Sequence, residues 1–175
     1  MQSNYQTERL LLKKLTLKDK EFFLKLVNTP EWLRFIGDRN IRTLGDATLY
    51  IQKILDNPTA NYWVVRLQHQ NIPIGIITFI KRDYLDHYDI GFAFFSTYAK
   101  SGYAYEATAT VLRDVANYSS HTHIFAITVE ENTRSIRLLE KFGLRFRKEI
   151  EVENNLLLLY STTVDRLAIA PIISA

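Results

Sequence analysis

The chain has 175 residues, 47% of them hydrophobic and 23% charged, with a formal net charge of +3 at pH 7. A chain of this length can remove about two-thirds of its unfolded surface from water in one core, so one domain over residues 1–175 is expected, far from the composition of disordered chains. Charges of both signs are interspersed, which argues against nucleic acid as a partner, and the absence of cysteine excludes disulfides, thiolate metal ligands and a cysteine nucleophile.

In chain order, residues 7–15 hold the apolar run Leu10 to Leu12 between charges, which predicts a first strand. Residues 19–27 place Phe22, Phe23, Leu26 and Val27 at helical spacing, and residues 45–55 repeat that period through Ala47, Tyr50, Ile51, Ile54 and Leu55 until Asn57-Pro58 stops it. Three runs rich in Ile, Val, Phe and Tyr follow at 61–67, 72–81 and 88–95 and read as strands, the first two joined by a hairpin over 68–71. After the loop 96–103, Ala104, Ala107, Thr108, Val111, Leu112, Val115 and Ala116 recur at helical intervals. A strand at 123–129, a helix at 132–142 ended by Gly143, and two strands around Glu153-Asn154-Asn155 complete the chain.

The order β α α β β β α β α β β predicts an α/β (mixed α+β) fold. Hairpins give antiparallel pairs, helix crossovers permit parallel ones, and helices cover both faces. The basic cluster Arg145, Arg147 and Lys148, interrupted by Phe146, reads as a solvated strand face, with a phosphate contact as the lesser reading. Residues 1–8 are polar and no apolar run approaches the ~18 residues of a membrane span, so no membrane partner and a cytoplasmic location are expected. The apolar tail 167–175 is too short to cross a bilayer and is expected to pack on the domain or on a second copy, giving a monomer or homodimer.

Ser101-Gly102-Tyr103-Ala104-Tyr105-Glu106-Ala107 passes from a loop into a helix. A helix start offers unpaired N–H groups and the positive end of a dipole, and glycine lets a ligand approach the backbone, a combination suited to an anion such as a pyrophosphate. Lys100 would add positive charge nearby.

Together with Asp89-Ile90-Gly91-Phe92 and the run from Asn132 to Leu144, this loop resembles the GNAT superfamily of N-acetyltransferases. Thr7-Glu8-Arg9-Leu10-Leu11-Leu12 and the stretch from Trp32 to Asp38 are similar to the branch that acetylates ribosomal-protein N-termini. The resemblance covers residues 7 to 163, with 164–175 as a tail. It implies a mostly antiparallel central sheet splayed between its fourth and fifth strands (88–95 and 123–129), with acetyl-CoA in the cleft and no metal. The family's pyrophosphate loop, Arg/Gln-x-x-Gly-x-Gly/Ala, matches at Gly102 and Ala104, while Ala99 stands at its first position and Lys100-Ser101 replaces the Gly-Lys of close relatives. By the same resemblance Phe92, Ala93 and Phe94 line the pantetheine arm, Lys100, Ser101, Gly102, Tyr103, Ala104 and Tyr105 surround the pyrophosphate, and Asn132 and Ser135 bond the cofactor. Asn132 is also a good helix N-cap with Ser135 at N3.

An amine attacking a thioester must be neutral, and with a free pKa near ~10.4 it needs a base, whereas a thiol near ~8.5 leaves without a strong acid. Asp89, at the opening of the fourth strand where relatives place an acidic residue, is the first candidate base. It shares a face with Gly91, Ala93 and Phe95 if alternation is strict. Asp86 and His87 are weaker candidates. The tyrosine that serves many relatives as acid is replaced by Leu139, which leaves Ser135 as the nearest hydroxyl and Tyr105 as a more distant one. Trp32 and Tyr84 are candidate acceptor-binding residues and Phe35 a core residue. The expected reaction is direct transfer from acetyl-CoA to a primary amine, on a protein N-terminus or a small molecule. The alternative is a catalytically weak acyl-CoA-binding or regulatory module, motivated by Ala99, Lys100 and Leu139.

Overall fold

The structure is a computed structural model that describes residues 1–169. Eight strands form one sheet: β1 (Asn4–Gln6), β2 (Leu10–Lys14), β3 (Ala60–Leu67), β4 (Pro73–Ile80), β5 (Asp89–Phe94), β6 (His123–Thr128), β7 (Arg145–Val152) and β8 (Asn155–Thr163), in the spatial order β1-β2-β3-β4-β5-β6-β8-β7. Every neighbouring pair is antiparallel except β5 and β6. The helices are α1 (Lys20–Val27), α2 (Pro30–Phe35), α3 (Leu44–Leu55), α4 (Tyr103–Ala116) and α5 (Thr133–Lys141).

Alternation along the strands divides the core into two layers. Trp63, Val65, Ile77, Phe79 and Ile90 face α4 with its Val111, Leu112 and Val115, and the cluster continues to Leu139 and Phe142 at α5. Val64 and Ile76 face the other way, onto Phe22, Phe23, Leu26, Ala47 and Ile51 of α1 and α3. This second cluster contains no residue of β6, β7 or β8, so that face of the distal half-sheet is not covered by the first three helices.

Local chemistry sets the helix ends. Thr43 and Asp46 form a capping box on α3, and Thr29 Oγ1 accepts from Trp32 N at 3.3 Å to start α2 with Pro30 in its first turn. At the end of α5 Gly143 takes φ +88°, with Gly143 N donating to Glu140 O and Leu144 N to Leu139 O. This 5→2 and 6→1 pair is a Schellman closure, and it turns the chain into β7.

Two features depart from the sequence expectation. β1 was not expected: its only apolar residue, Tyr5, pairs with Leu12 and packs against Trp63 at 5.6 Å. Three helices rather than two precede the main sheet, because the short segment around Trp32 is helical. The strands expected as fourth and fifth are therefore β5 and β6. In the C-terminal segment Leu167 and Ile169 pack on the main core and Ala168 N donates to Phe142 O, while the part of the expected tail packing that concerns residues 170–175 lies outside the described residues.

Candidate active site

β5 and β6 run parallel but share one register position, Asp89 opposite Phe125, joined by the bond from Phe125 N to Tyr88 O at 3.0 Å. Beyond it the strands part. Asp89 and Ile90 are buried, whereas the next four residues of β5 are only half-buried although the strand lies in the middle of the sheet. The edge of β5 that faces β6 therefore carries the backbone groups of Phe92 and Phe94 with no ladder partner, whereas those of Gly91 and Ala93, in register with Thr78 and Ile76, face β4.

At the divergent end β5 leads through residues 96–102 to α4. Lys100 (φ +63°) and Gly102 (φ +79°) are both left-handed, and Gly102 occupies the N-cap with no side-chain cap on the helix. A left-handed residue turns the chain sharply into the helix, and the amides of the first turn are left without a capping side chain. A Cβ at Gly102 would lie 3.4 Å from Arg9 Nη2. Arg9 holds this junction: its Nε donates to Glu106 Oε2 (2.7 Å), its Nη1 donates to Ser101 O (3.0 Å), and its guanidinium lies 4.7 Å from the centre of the Tyr103 ring. Thr7 Oγ1 donates to the other oxygen of Glu106 at 2.5 Å. This clamp escaped the sequence reading because Arg9 and Glu106 are 97 residues apart.

On the β6 side, Asn132 caps α5 by accepting from Ser135 N at 3.2 Å, and both side chains are half-buried. The cap uses the Asn132 carbonyl oxygen. Leu139, at the position where the resemblance led to the expectation of a tyrosine, is 1% exposed in the main core. Tyr105 stacks on Phe142 with ring centres 4.9 Å apart and carries Lys141 over its ring at 4.2 Å, so it ties α4 to α5.

Asp89 is 2% exposed and accepts from Arg82 Nε at 2.8 Å. Burial pushes its carboxyl up from the ordinary carboxylate range while the Arg82 guanidinium opposes that shift; the net direction is upward. Burial likewise raises the hydroxyls of Tyr62 and Tyr84, both within electrostatic reach of the Arg82–Asp89 pair. The space beside Gly91 on this face, expected to be free around the carboxylate, is taken by Thr78: a Cβ at Gly91 would meet Thr78 Oγ1 at 2.5 Å. Asp89 stands at the closed end of the cleft and Ser135 beyond the divergent end of β6, so the two candidate proton carriers are not neighbours. His87 stacks on His123 at 4.7 Å and meets the edge of Phe125 at 5.1 Å; burial, then His123, lowers its pKa.

Trp32 is 7% exposed within the α1–α3 core, edge-on to Phe23, and its indole N–H has no partner. Tyr84 is exposed and lines a groove of about 510 Å³ with Leu85, Asp86, Phe125, Leu159 and residues of β7. Phe35 is half-buried beneath the guanidinium of Arg34. Among the described residues no cluster of side chains suits a metal ion and no helix is long and apolar enough to cross a membrane.

The family model for the acetyltransferase (GNAT) domain matches residues 9–145, a span that contains the splayed strands, the uncapped α4 and the helix capped by Asn132. The chain belongs to the GNAT acetyltransferase family. An uncharacterized N-acetyltransferase of Bacillus subtilis, YnaD, is 27% identical over 139 residues, 79% of this chain and 81% of that protein. The crystal structure of a GNAT-family acetyltransferase from Bacillus anthracis is 27% identical, with a TM-score of 0.77 over 93% of this chain and 99% of that one. The ribosomal-protein-S5-alanine acetyltransferase of Vibrio fischeri shares the fold, with a TM-score of 0.78 over 97% of this chain and all of its own length, at 16% identity. This GNAT chain is thus an acyltransferase by family, and its mixed, mostly antiparallel sheet is the family's.

Proposed function

We propose that this GNAT protein binds acetyl-CoA between β5 and β6 and transfers the acetyl group directly to a primary amine, with no covalent enzyme intermediate. The observation that carries the reading is the parting of β5 from β6 after one paired position, followed by the left-handed Gly102 and the uncapped α4. The unpaired edge at Phe92 and Phe94, with Ala93 between them, suits the amide-bearing pantetheine arm, and the first-turn amides of Tyr103, Ala104 and Tyr105 suit a pyrophosphate. Lys100 and Ser101 border that anion site, and Asn132 and Ser135 retain donors beyond their capping bond for the cofactor. When bound, acetyl-CoA supplies a thioester carbonyl activated toward amines.

Asp89 is the proposed base, taking a proton from the entering ammonium directly or through water. Its raised pKa makes the carboxylate a stronger base than an exposed aspartate, and Arg82 keeps it oriented. The thiol needs no strong acid, so the loss of tyrosine at Leu139 is tolerable, and Ser135 is the hydroxyl nearest by position to accompany it. Tyr84, on the rim of the groove that begins beside Phe125, is a proposed acceptor contact. Trp32 is a less direct one, through its unpartnered N–H.

Leu139, sealed in the core, favours a second reading: an acyl-CoA-binding module of the same fold with weak turnover. Thiol release from acetyl-CoA with a panel of N-terminal peptides, lysine peptides, polyamines and aminoglycosides separates the two. Release with at least one amine supports transfer; binding of acetyl-CoA with no release across the panel supports the module.

A further inference from the structure

β7 pairs with β8 through an irregular register: Phe146 stands opposite Tyr160 and Lys148 opposite Leu159, so Arg147 is an extra residue with no partner of its own. In a regular strand consecutive side chains point to opposite faces, whereas a bulge re-aims them. Here both Arg147 and Lys148 line the groove of about 510 Å³ shared with Tyr84, Asp86, Phe125 and Leu159. Both are exposed, and among the described residues neither has a carboxylate within ion-pair distance. The next residue, Glu149, pairs with Leu158 and by alternation points away from them.

The groove has a direction. Its floor residue Phe125 is the one register partner of Asp89 across the cleft, so one end lies beside the strand that carries the candidate base, which is itself buried and outside the lining. At that end the rim carries Asp86, also without an ion-pair partner among the described residues. The far wall carries the two cations. A ligand matched to this surface has an ammonium near Asp86 and negative charge a few residues away, along an apolar floor of Phe125 and Leu159. The volume falls within the ~300–1,000 Å³ typical of ligand clefts.

We propose that Arg147 and Lys148 set acceptor specificity and that the acceptor is an acidic peptide: a primary amine followed within a few residues by side-chain carboxylates. This rests on the transfer reading above. Polyamines and aminoglycosides carry their charges against both cations and are disfavoured; a chain of net charge +3 adds to that repulsion. Each exposed cation contributes about two- to fivefold in affinity at low ionic strength, hence about tenfold for the pair, and the preference shrinks with salt.

The test compares peptides with the same N-terminal residue and either acidic, neutral or basic residues next to it, on the wild type and on the double variant Arg147→Glu/Lys148→Glu. Both positions are exposed, so the fold should survive, which a thermal melt and an unchanged acetyl-CoA affinity verify. At saturating acetyl-CoA the acidic peptide should show a KM about tenfold below that of the neutral one at similar kcat, and the double variant should prefer the basic peptide. Equal KM values in the wild type, or an acidic preference that survives the reversal, overturn the proposal. Binding of N-terminally acetylated, fluorescent versions of the same peptides, followed by anisotropy, needs no turnover. If no amine is acetylated yet the acidic peptide binds tighter and the variant reverses the order, the groove assignment stands and the transfer reading falls. Indifferent binding rejects the groove assignment alone.

Discussion

Replacing Arg9 with alanine should weaken cofactor binding about tenfold at a cost in stability of the same order. Its side chain is 44% exposed and pairs with Glu106; ion pairs at such exposure contribute about 0–1 kcal/mol, and the contact with the Tyr103 ring about 0.5–1. The bond from Nη1 to Ser101 O does something different, since it fixes the left-handed turn through Lys100 and Gly102 from which the α4 amides point. A hydrogen bond from a charged donor contributes about 1.5–3 kcal/mol, and with water replacing part of it the loop should demand about 1.4 kcal/mol more on binding, a tenfold rise in Kd. Calorimetric titration of acetyl-CoA into wild type and Arg9→Ala measures that ratio, with a thermal melt as control and acetyl-pantetheine, which lacks the pyrophosphate, as the second ligand. The expected pattern is about tenfold weaker acetyl-CoA, unchanged acetyl-pantetheine and a Tm lower by a few degrees, with Arg9→Lys in between because it keeps the charge and loses the fork. An acetyl-CoA Kd within about twofold of wild type, or equal losses for both ligands, would refute the clamp.

Gly102→Val places a β-branched residue at φ +79°, a strain of about 1–3 kcal/mol, and should weaken acetyl-CoA binding by tenfold or more by calorimetry; unaltered affinity rejects the loop. Gly75→Ala sets a Cβ 2.4 Å from Phe94 Cδ1 and 2.5 Å from Ala93 O, so β5 must move; urea unfolding should show a loss of about 1–3 kcal/mol and acetyl-CoA should bind less tightly. If Asp89 is the base, transfer requires its ionised form, so kcat/KM falls as pH drops through a pKa raised above the ordinary carboxylate range. Asp89→Asn should remove that acidic limb and most of the rate, and an unchanged pH profile excludes Asp89. Phe142→Ala empties a fully buried site stacked on Tyr105, with an expected loss of about 3–5 kcal/mol in urea unfolding.

What could be read from the sequence was what is encoded locally. The apolar runs gave β3 to β6 within one residue at each end, and α5 was placed to the same precision because Asn132 and Gly143 mark its ends chemically. The passage from loop to helix at Gly102 was legible for the same reason, while its left-handed conformation appears only in the structure. What escaped depends on tertiary partners. β1 is a strand because Tyr5 finds Leu12 and Trp63, and α2 is too short for a periodic signal and starts on the Thr29 cap and Pro30. The Arg9–Glu106 clamp joins distant segments. The partner of Asp89 turned out to be Arg82, seven residues away across a loop, and the basic stretch expected as a plain solvated face contains a bulge that directs Arg147 and Lys148 into one groove. No local pattern announces an extra residue in a strand, since it appears only in the register with β8.

The claim on which the account rests is that the opening between β5 and β6 is an acetyl-CoA site, and calorimetric titration of acetyl-CoA, read beside the thermal shift at saturation, tests it most directly. One-site binding and a Tm that rises with ligand concentration are expected, both weakened in Gly102→Val. Neither heat nor stabilisation at excess acetyl-CoA would contradict it.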